Sequence, residues 1–468
     1  MEIFFLAGIV AIIAAFMLFA AWKSPLLLLG MYVFTRTVLD GFSDITYKNI
    51  VGSLSYMQVY SFVMIIVFSL YILKIKENVQ LISKVAFPVG AVIFTYLLST
   101  IVSNDILPAI ENTTKWIYML LIAILVYRIS LQYRLRYLMI TLFLAVLPAL
   151  IIQMHSIIVQ DFIIASGGHK AYFGGYHHQN MLSYLIVIFI ISSLYLSLDY
   201  YKTRWKLLYA SCTLYGLFAL YLCGYRTTIL AVLIMLFVTA ALYIRLSSAA
   251  HKLFIIALAP LLSVLIIYFL GADLQQKLAD LGIFLQSPMS YLDFSGRAEH
   301  ITLFSGRLTI LNTLMAAYTT APIEATIAGL GLEASQKIVG TYPHNEFVAS
   351  LVECGILGLL AFVFFMGYYF CSILRTLSCI KIQEAVFVGA GAGMFTMTLA
   401  TMPFRDMRAM LLFGLILGIT HFIYGRSLGP ASAQCMDPQT AVKTGPELDV
   451  SGYTLLPGMQ DKIIKEKL

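Results

Sequence analysis

Residues 181–198 read MLSYLIVIFIISSLYLSL and contain no charged side chain. A helix must be about 20 apolar residues long to cross ~30 Å of hydrocarbon, and this run meets that length almost without a polar interruption. It is one of about thirteen such runs, near 3–22, 25–39, 56–75, 83–103, 114–131, 136–159, 181–198, 205–223, 227–247, 252–271, 349–374, 384–402 and 408–424. The second is short for a span. The first opens with Glu2 instead of a basic region, so it reads as a membrane segment and not as a signal peptide.

Composition says the same. The 468 residues are 60% apolar and 11% charged, with a mean hydropathy of +0.89. A soluble domain carries about 25% charged residues, so soluble enzymes, coiled coils, disordered chains and nucleic-acid binders are excluded. The expected fold is all-α and polytopic, with about 12–13 transmembrane helices spread over residues 1–426. Residues 427–468 are rich in Pro, Gly, Ser and Ala and are expected to form a flexible tail. The six cysteines show no CxxC pair and no zinc spacing, and they read as small packing residues.

The net charge of +7 fits the cytoplasmic bias of Lys and Arg in membrane proteins. Basic clusters at Lys74/Lys76/Lys84, Arg128/Arg134/Arg136, Lys202/Arg204/Lys206, Arg245/Lys252 and Arg375/Lys381 alternate along the chain and can all face the cytoplasm. The connections 104–113, 160–180, 224–226, 272–348 and 403–408 then face outward. Segment 272–348 is too long for an idle link. It includes the amphipathic run Arg307–Tyr318, expected to be a surface helix, and holds four basic and seven acidic residues. Its cations are therefore individually placed. No internal repeat stands out, which argues against an inverted-repeat transporter.

The outward segments collect the polar chemistry. Residues 166–180 read SGGHKAYFGGYHHQN and bring His177, His178 and Asn180 to a span start. CGYRTTILAVLI sets Arg226 at the next. The long segment carries Arg297 in SGRAEH and Arg307 in SGRLTIL, then GLG at 329–331, and ends in TYPHNEFVASLVECGILGLLAF, with His344 and Asn345. MPFRDMRAM supplies Arg405 and Arg408. Arginine near hydrocarbon is costly and is placed there for a partner or a pathway. Its planar fork binds phosphate oxygens in pairs, so converging arginines suit a lipid-linked diphosphate, and a neighbouring histidine can take a hydroxyl proton at neutral pH.

Each feature has a plainer reading. Arg405 and Asp406 could form a local interfacial ion pair, and His177 and His178 could be ordinary loop residues. Glu353 is either functional or paired. Gly355 and Gly358 allow close packing of helices, and His155 and His421 read as satisfied core residues.

Four of these segments resemble the O-antigen polymerase and ligase superfamily. GGYHHQNMLSYL is similar to its Tyr-Gly…Asn-His-Asn segment, and GYRTTILAVLI to its Ser-Arg span start. SGRLTIL followed by GLG resembles its Gly-Arg…Gly-x-Gly stretch. PHNEFVASLVECGILGLLAF resembles its His-Asn…Glu-x-Gly signature. They stand in the family's order over roughly 172–365. GYR replaces the usual Ser-Arg, Leu311 stands where Trp is common, and the second SGR leaves Arg297 as an alternate to Arg307.

The resemblance implies a GT-C-type glycosyltransferase, metal-independent and inverting, in the bacterial inner membrane with its active site facing the periplasm. Its partners would be undecaprenyl-diphosphate-linked glycan donor and acceptor, the lipid bilayer and, as an open further partner, a chain-length regulator; nucleic acid is not one. A Wzy-type polymerase of O-antigen, capsule or exopolysaccharide is the leading expectation, and an O-antigen ligase acting on lipid A–core the alternative. A flippase or transporter is a more distant one. The implied catalytic residues are His344, Arg226 and Arg307. His177, His178, Asn180, Arg297, Asn345, Arg405 and Arg408 are the expected substrate-binding set.

Overall fold

The computed structural model describes residues 23–51, 54–73, 79–164, 170–247 and 306–427, with isolated positions among 16–20 and 275–286. The expected spans 3–22 and 252–271 lie largely outside the described residues, as do Arg297 and nearly all of the tail. By contacts the chain divides into Met1–Tyr424 and Gly425–Leu468.

The described residues are mostly helical, and among them ten helices are long and apolar enough to cross a membrane. The protein is a multi-pass membrane protein. Large apolar side chains such as Phe87, Ile101 and Phe237 stand exposed on these helices, which is stable only against hydrocarbon.

Helix α1 (Pro25–Asp40) precedes the ten and has 16 residues. Ser24 caps it, accepting from Leu26 N–H at 3.2 Å, with Pro25 at the first position. A short helix α2 (Ser43–Thr46) and a two-stranded ribbon, β1 (Asn49–Val51) with β2 (Leu54–Ser55), lead to α3 (Tyr56–Leu73), α4 (Val79–Ser103), α5 (Ile106–Gln132) and α6 (Leu135–Ile158). A second ribbon, β3 (Ile163–Ile164) with β4 (Lys170–Ala171), precedes α7 (Gln179–Asp199), α8 (Thr203–Cys223) and α9 (Arg226–Leu246).

Helix α5 corrects the expected outward loop at 104–113. Only residues 104 and 105 join α4 to α5, because the polar run that hid the helix start is satisfied within the helix. Asn112 Nδ2 donates to Pro108 O (2.8 Å), Thr114 Oγ1 donates to Ile110 O (2.7 Å), and Lys115 pairs with Glu111 (2.7 Å).

The amphipathic run folds as expected into α10 (Arg307–Thr319), followed by α11 (Ile323–Ala328) and α12 (Ala334–Val339). Leu314 and Tyr318 pack on Val352 of the next helix, so this segment lies on the bundle and does not float beside it. That helix, α13 (Glu346–Thr376), is interrupted at Gly355 (φ 68°, ψ −167°). Helix α14 (Ala385–Ala400), a 3-10 turn (Pro403–Arg405) and α15 (Met407–Ser427) follow. Gly389 and Gly393 of α14 lie against the Met235 and Ala231 carbonyls of α9, a small-xxx-small contact that draws the two backbones together.

The break in α13 joins two motifs that look separate in sequence. Ending the first helical piece at Gly355 releases the Val352 and Glu353 carbonyls, which in hydrocarbon must find other donors. Leu330 N–H donates to Val352 O (2.9 Å), while Gly331 N–H (3.2 Å) and Ser99 Oγ (2.5 Å) donate to Glu353 O. GLG at 329–331 is therefore the backbone plug of the ECG break. Gly329 (φ +93°) sits so close that an added Cβ would overlap the Glu353 carbonyl. Gly329→Ala is expected to cost at least ~3 kcal/mol, or to prevent folding, in thermal unfolding of the detergent-solubilised protein. Gly340→Ala shares a positive φ (+72°) but meets open space, and should cost only about 1 kcal/mol. Equal effects at the two positions would refute the plug.

Candidate functional site

The expected site residues that are described cluster where α7, α9, α13 and α15 begin and α14 ends. The segment before α7 is pinned from below. Tyr172 N–H donates to Leu222 O (2.8 Å), and its carbonyl accepts from Gln153 Nε2 (2.9 Å). Gly175 O accepts from Ser43 Oγ (2.6 Å), and Tyr176 OH donates to Thr37 O (2.9 Å). These buried anchors hold two exposed histidines at the surface. His177 stacks on Tyr47, with ring centroids 5.9 Å apart. His178 meets Tyr225 edge-on at 6.3 Å.

Tyr225 ends the αL turn that Gly224 (φ 73°) makes between α8 and α9, and its hydroxyl bonds Thr401 Oγ1 at 2.9 Å. Burial first, countered by Thr401 and Arg307, raises its pKa above the ordinary value. Arg226 follows as the first, half-buried residue of α9. Arg307 opens α10 after the αL residue Gly306 (φ 77°) and is exposed, within electrostatic reach of Tyr225.

His344 joins this group from the other side. It sits half-buried between Pro343 and the α13 cap, with φ +53°. Burial, then the Arg307 guanidinium and the His178 imidazole, holds its pKa below the ordinary 6.5. Asn345 caps α13, accepting from Phe347 N–H (2.9 Å) and Val348 N–H (3.1 Å), while its Nδ2 donates to Leu399 O of α14 (3.1 Å). Asn345 thus fixes where His344 stands. The structure brings together His344, Arg307, His178 and Tyr225, with Arg226 adjoining.

Two expected binders have different company. Arg405 pairs with Glu353 of α13, not with Asp406. Glu353 is fully buried, and its Oε1 has no hydrogen-bond partner among the described residues. Arg408, 4% exposed, holds Asp40 through two bonds (2.8 and 2.6 Å), reaches Asp406, and bonds the Tyr47 hydroxyl. Asp40 is also held by Arg36 (3.1 Å). These are buried ion pairs, and neither Asp40 nor the buried Glu346 was among the expected residues. Glu346 Oε1 accepts from Phe404 N–H at 2.8 Å and ties α13 to the 3-10 turn.

No family model and no curated protein matches the chain.

Of the histidines read as core residues, His421 is one: its Nε2 lies 2.7 Å from Tyr368 OH and its Nδ1 2.8 Å from Leu417 O. His155 is exposed near the end of α6, which corrects that expectation. The cluster therefore offers one half-buried imidazole kept neutral at pH 7, cations beside it, and a second imidazole. That is equipment for moving a hydroxyl proton next to an anion.

Proposed function

We propose that the protein is a membrane glycosyltransferase that joins undecaprenyl-diphosphate-linked repeat units into a polysaccharide at the periplasmic face of the bacterial inner membrane. The observation that carries this reading is the placement of His344, with its depressed pKa, within electrostatic reach of Arg307 at one end of the bundle. The resemblance of residues 172–365 to the O-antigen polymerase and ligase superfamily supplies the substrate class.

In this reaction a hydroxyl of the acceptor sugar attacks the anomeric carbon of the donor. His344 takes the hydroxyl proton as the new glycosidic bond forms. The bond from the anomeric carbon to the diphosphate oxygen breaks, and undecaprenyl diphosphate departs from the opposite face, which inverts the centre. Arg226 and Arg307 neutralise the charge growing on the departing diphosphate. The neutral imidazole is the reactive form, so its lowered pKa keeps it ready at pH 7.

The glycan profile of a deletion strain tests the reading. A single repeat unit on the lipid core is the outcome expected for a polymerase. Bare core would identify a ligase instead, and an unaltered profile would remove both. The arginine roles have their own test. Lysine replaces a bidentate fork by a point charge, so Arg307→Lys and Arg226→Lys are expected to lose about 10–100-fold in kcat/KM, nearly as much as the alanine variants. Full activity in either alanine variant would take that residue out of the diphosphate site.

A further inference from the structure

A chain of polar contacts runs from the buried ion pairs to the open edge of His178. Arg408 donates to Asp406 Oδ1 through its backbone N–H (2.7 Å) and approaches both carboxylate oxygens with Nη1 (3.4 Å). Asp406 Oδ2 accepts from Asn180 Nδ2 at 3.3 Å. Asn180 Oδ1 then lies 2.9 Å from His178 Nδ1.

These contacts favour one placement of the proton on His178. A carboxylate paired with arginine only accepts, so the Asn180 amide must turn its NH2 toward Asp406 and its carbonyl toward the imidazole. A carbonyl also only accepts, so Nδ1 must hold the proton and Nε2 the open lone pair. The competing arrangement is a helix cap, because Asn180 N–H lies 3.3 Å from the same Nδ1. A bare Nδ1 would accept that bond but would set two lone pairs against each other at 2.9 Å. The relay arrangement avoids that repulsion and uses the shorter contact, at the cost of turning Nδ1–H toward the Asn180 N–H at 3.3 Å.

We propose that His178 binds the acceptor sugar by accepting a hydrogen bond from one of its hydroxyls at Nε2, and that Asn180 and Asp406 are positioning residues that hold this tautomer. The proposal rests on the transferase reading and divides the labour between two histidines. His344 removes the proton of the attacking hydroxyl. His178 leaves its proton on Nδ1 and orients the sugar through a second hydroxyl.

Tautomer and kinetics test the two halves separately. Full-length protein with ¹⁵N-labelled histidine, in bilayers at pH 8, reports the protonation of each ring nitrogen, and the His178 signals are those missing from His178→Ala. The expected result is a proton on Nδ1 in the wild type, moving toward Nε2 in Asn180→Ala. A wild-type proton on Nε2 overturns the relay whatever the enzyme does. In transfer assays with lipid-linked repeat units, His178→Ala is expected to raise the acceptor KM about tenfold at nearly unchanged kcat. His178→Gln, which restores an acceptor oxygen, should recover part of that loss. Asn180→Ala should raise KM by the inverse of the fraction left in the relay tautomer, about two- to tenfold. A fall in kcat with unchanged KM overturns the acceptor role. A wild-type protein that shows the Nδ1 proton yet transfers no sugar overturns the transferase reading, and the acceptor role with it, while the relay stands.

Discussion

His344→Ala is expected to lower turnover at saturating acceptor by about 10²–10⁴-fold and to leave donor binding intact. A sugar hydroxyl has a pKa far above 7, so its attack on the anomeric carbon needs a group that accepts the proton in the transition state. His344 stands half-buried at the start of α13 with φ +53°, a left-handed conformation that costs free energy and is held by Pro343 before it and the Asn345 cap after it. The pH profile carries the same signature. Because burial, Arg307 and His178 lower the pKa, the neutral base persists to lower pH, and kcat/KM should rise from acid and level off with an apparent pKa below 6.5. A limb well above 6.5 would contradict that environment. An alanine enzyme that keeps its turnover and needs only more acceptor would make His344 a binder and not a base.

The spans were legible because hydrocarbon demands long apolar runs, and that demand is written locally. Helix α7 begins within two residues of its expected start for that reason. The start of α5 was not legible, since Glu111 and Asn112 read as loop until their intrahelical partners are known. Nor was the break in α13. Gly355 reads as a packing glycine, and only the carbonyls taken by Leu330, Gly331 and Ser99 reveal that it ends one helix and begins another.

The site divides in the same way. Residues beside one another in sequence, such as His178 with Asn180 and His344 with Asn345, could be read together. Charges could not be, because their partners are remote: Asp40 lies 368 positions from Arg408, and Asp406 lies 226 from Asn180. A linear reading counts Arg405 and Arg408 as cations open to a ligand, while the folded chain meets each with an acid from another helix.

The Arg405–Glu353 pair shows what that difference predicts. Glu353 is fully buried and Arg405 mostly so, and Glu353 Oε1 already lacks a partner among the described residues. Removing the charge of one member strands the other charge at the break of α13, so Arg405→Met and Glu353→Leu are each expected to destabilise the protein by about 3–5 kcal/mol. Removing both charges with apolar groups of similar size is a different change. The double variant Arg405→Met/Glu353→Leu leaves no stranded charge, and Phe404 keeps its stack on Trp116 (4.8 Å) beside it. Buried pairs replaced in this way are commonly neutral or stabilised, so the double variant should recover most of the lost stability. Thermal unfolding of the four proteins completes the cycle, with a coupling of several kcal/mol expected. Transfer activity then separates the roles of Arg405. If the guanidinium serves Glu353 alone, the recovered double variant regains activity. If Arg405 also holds the diphosphate, the double variant folds, melts like the wild type and transfers nothing, and Arg405 belongs with Arg226 and Arg307.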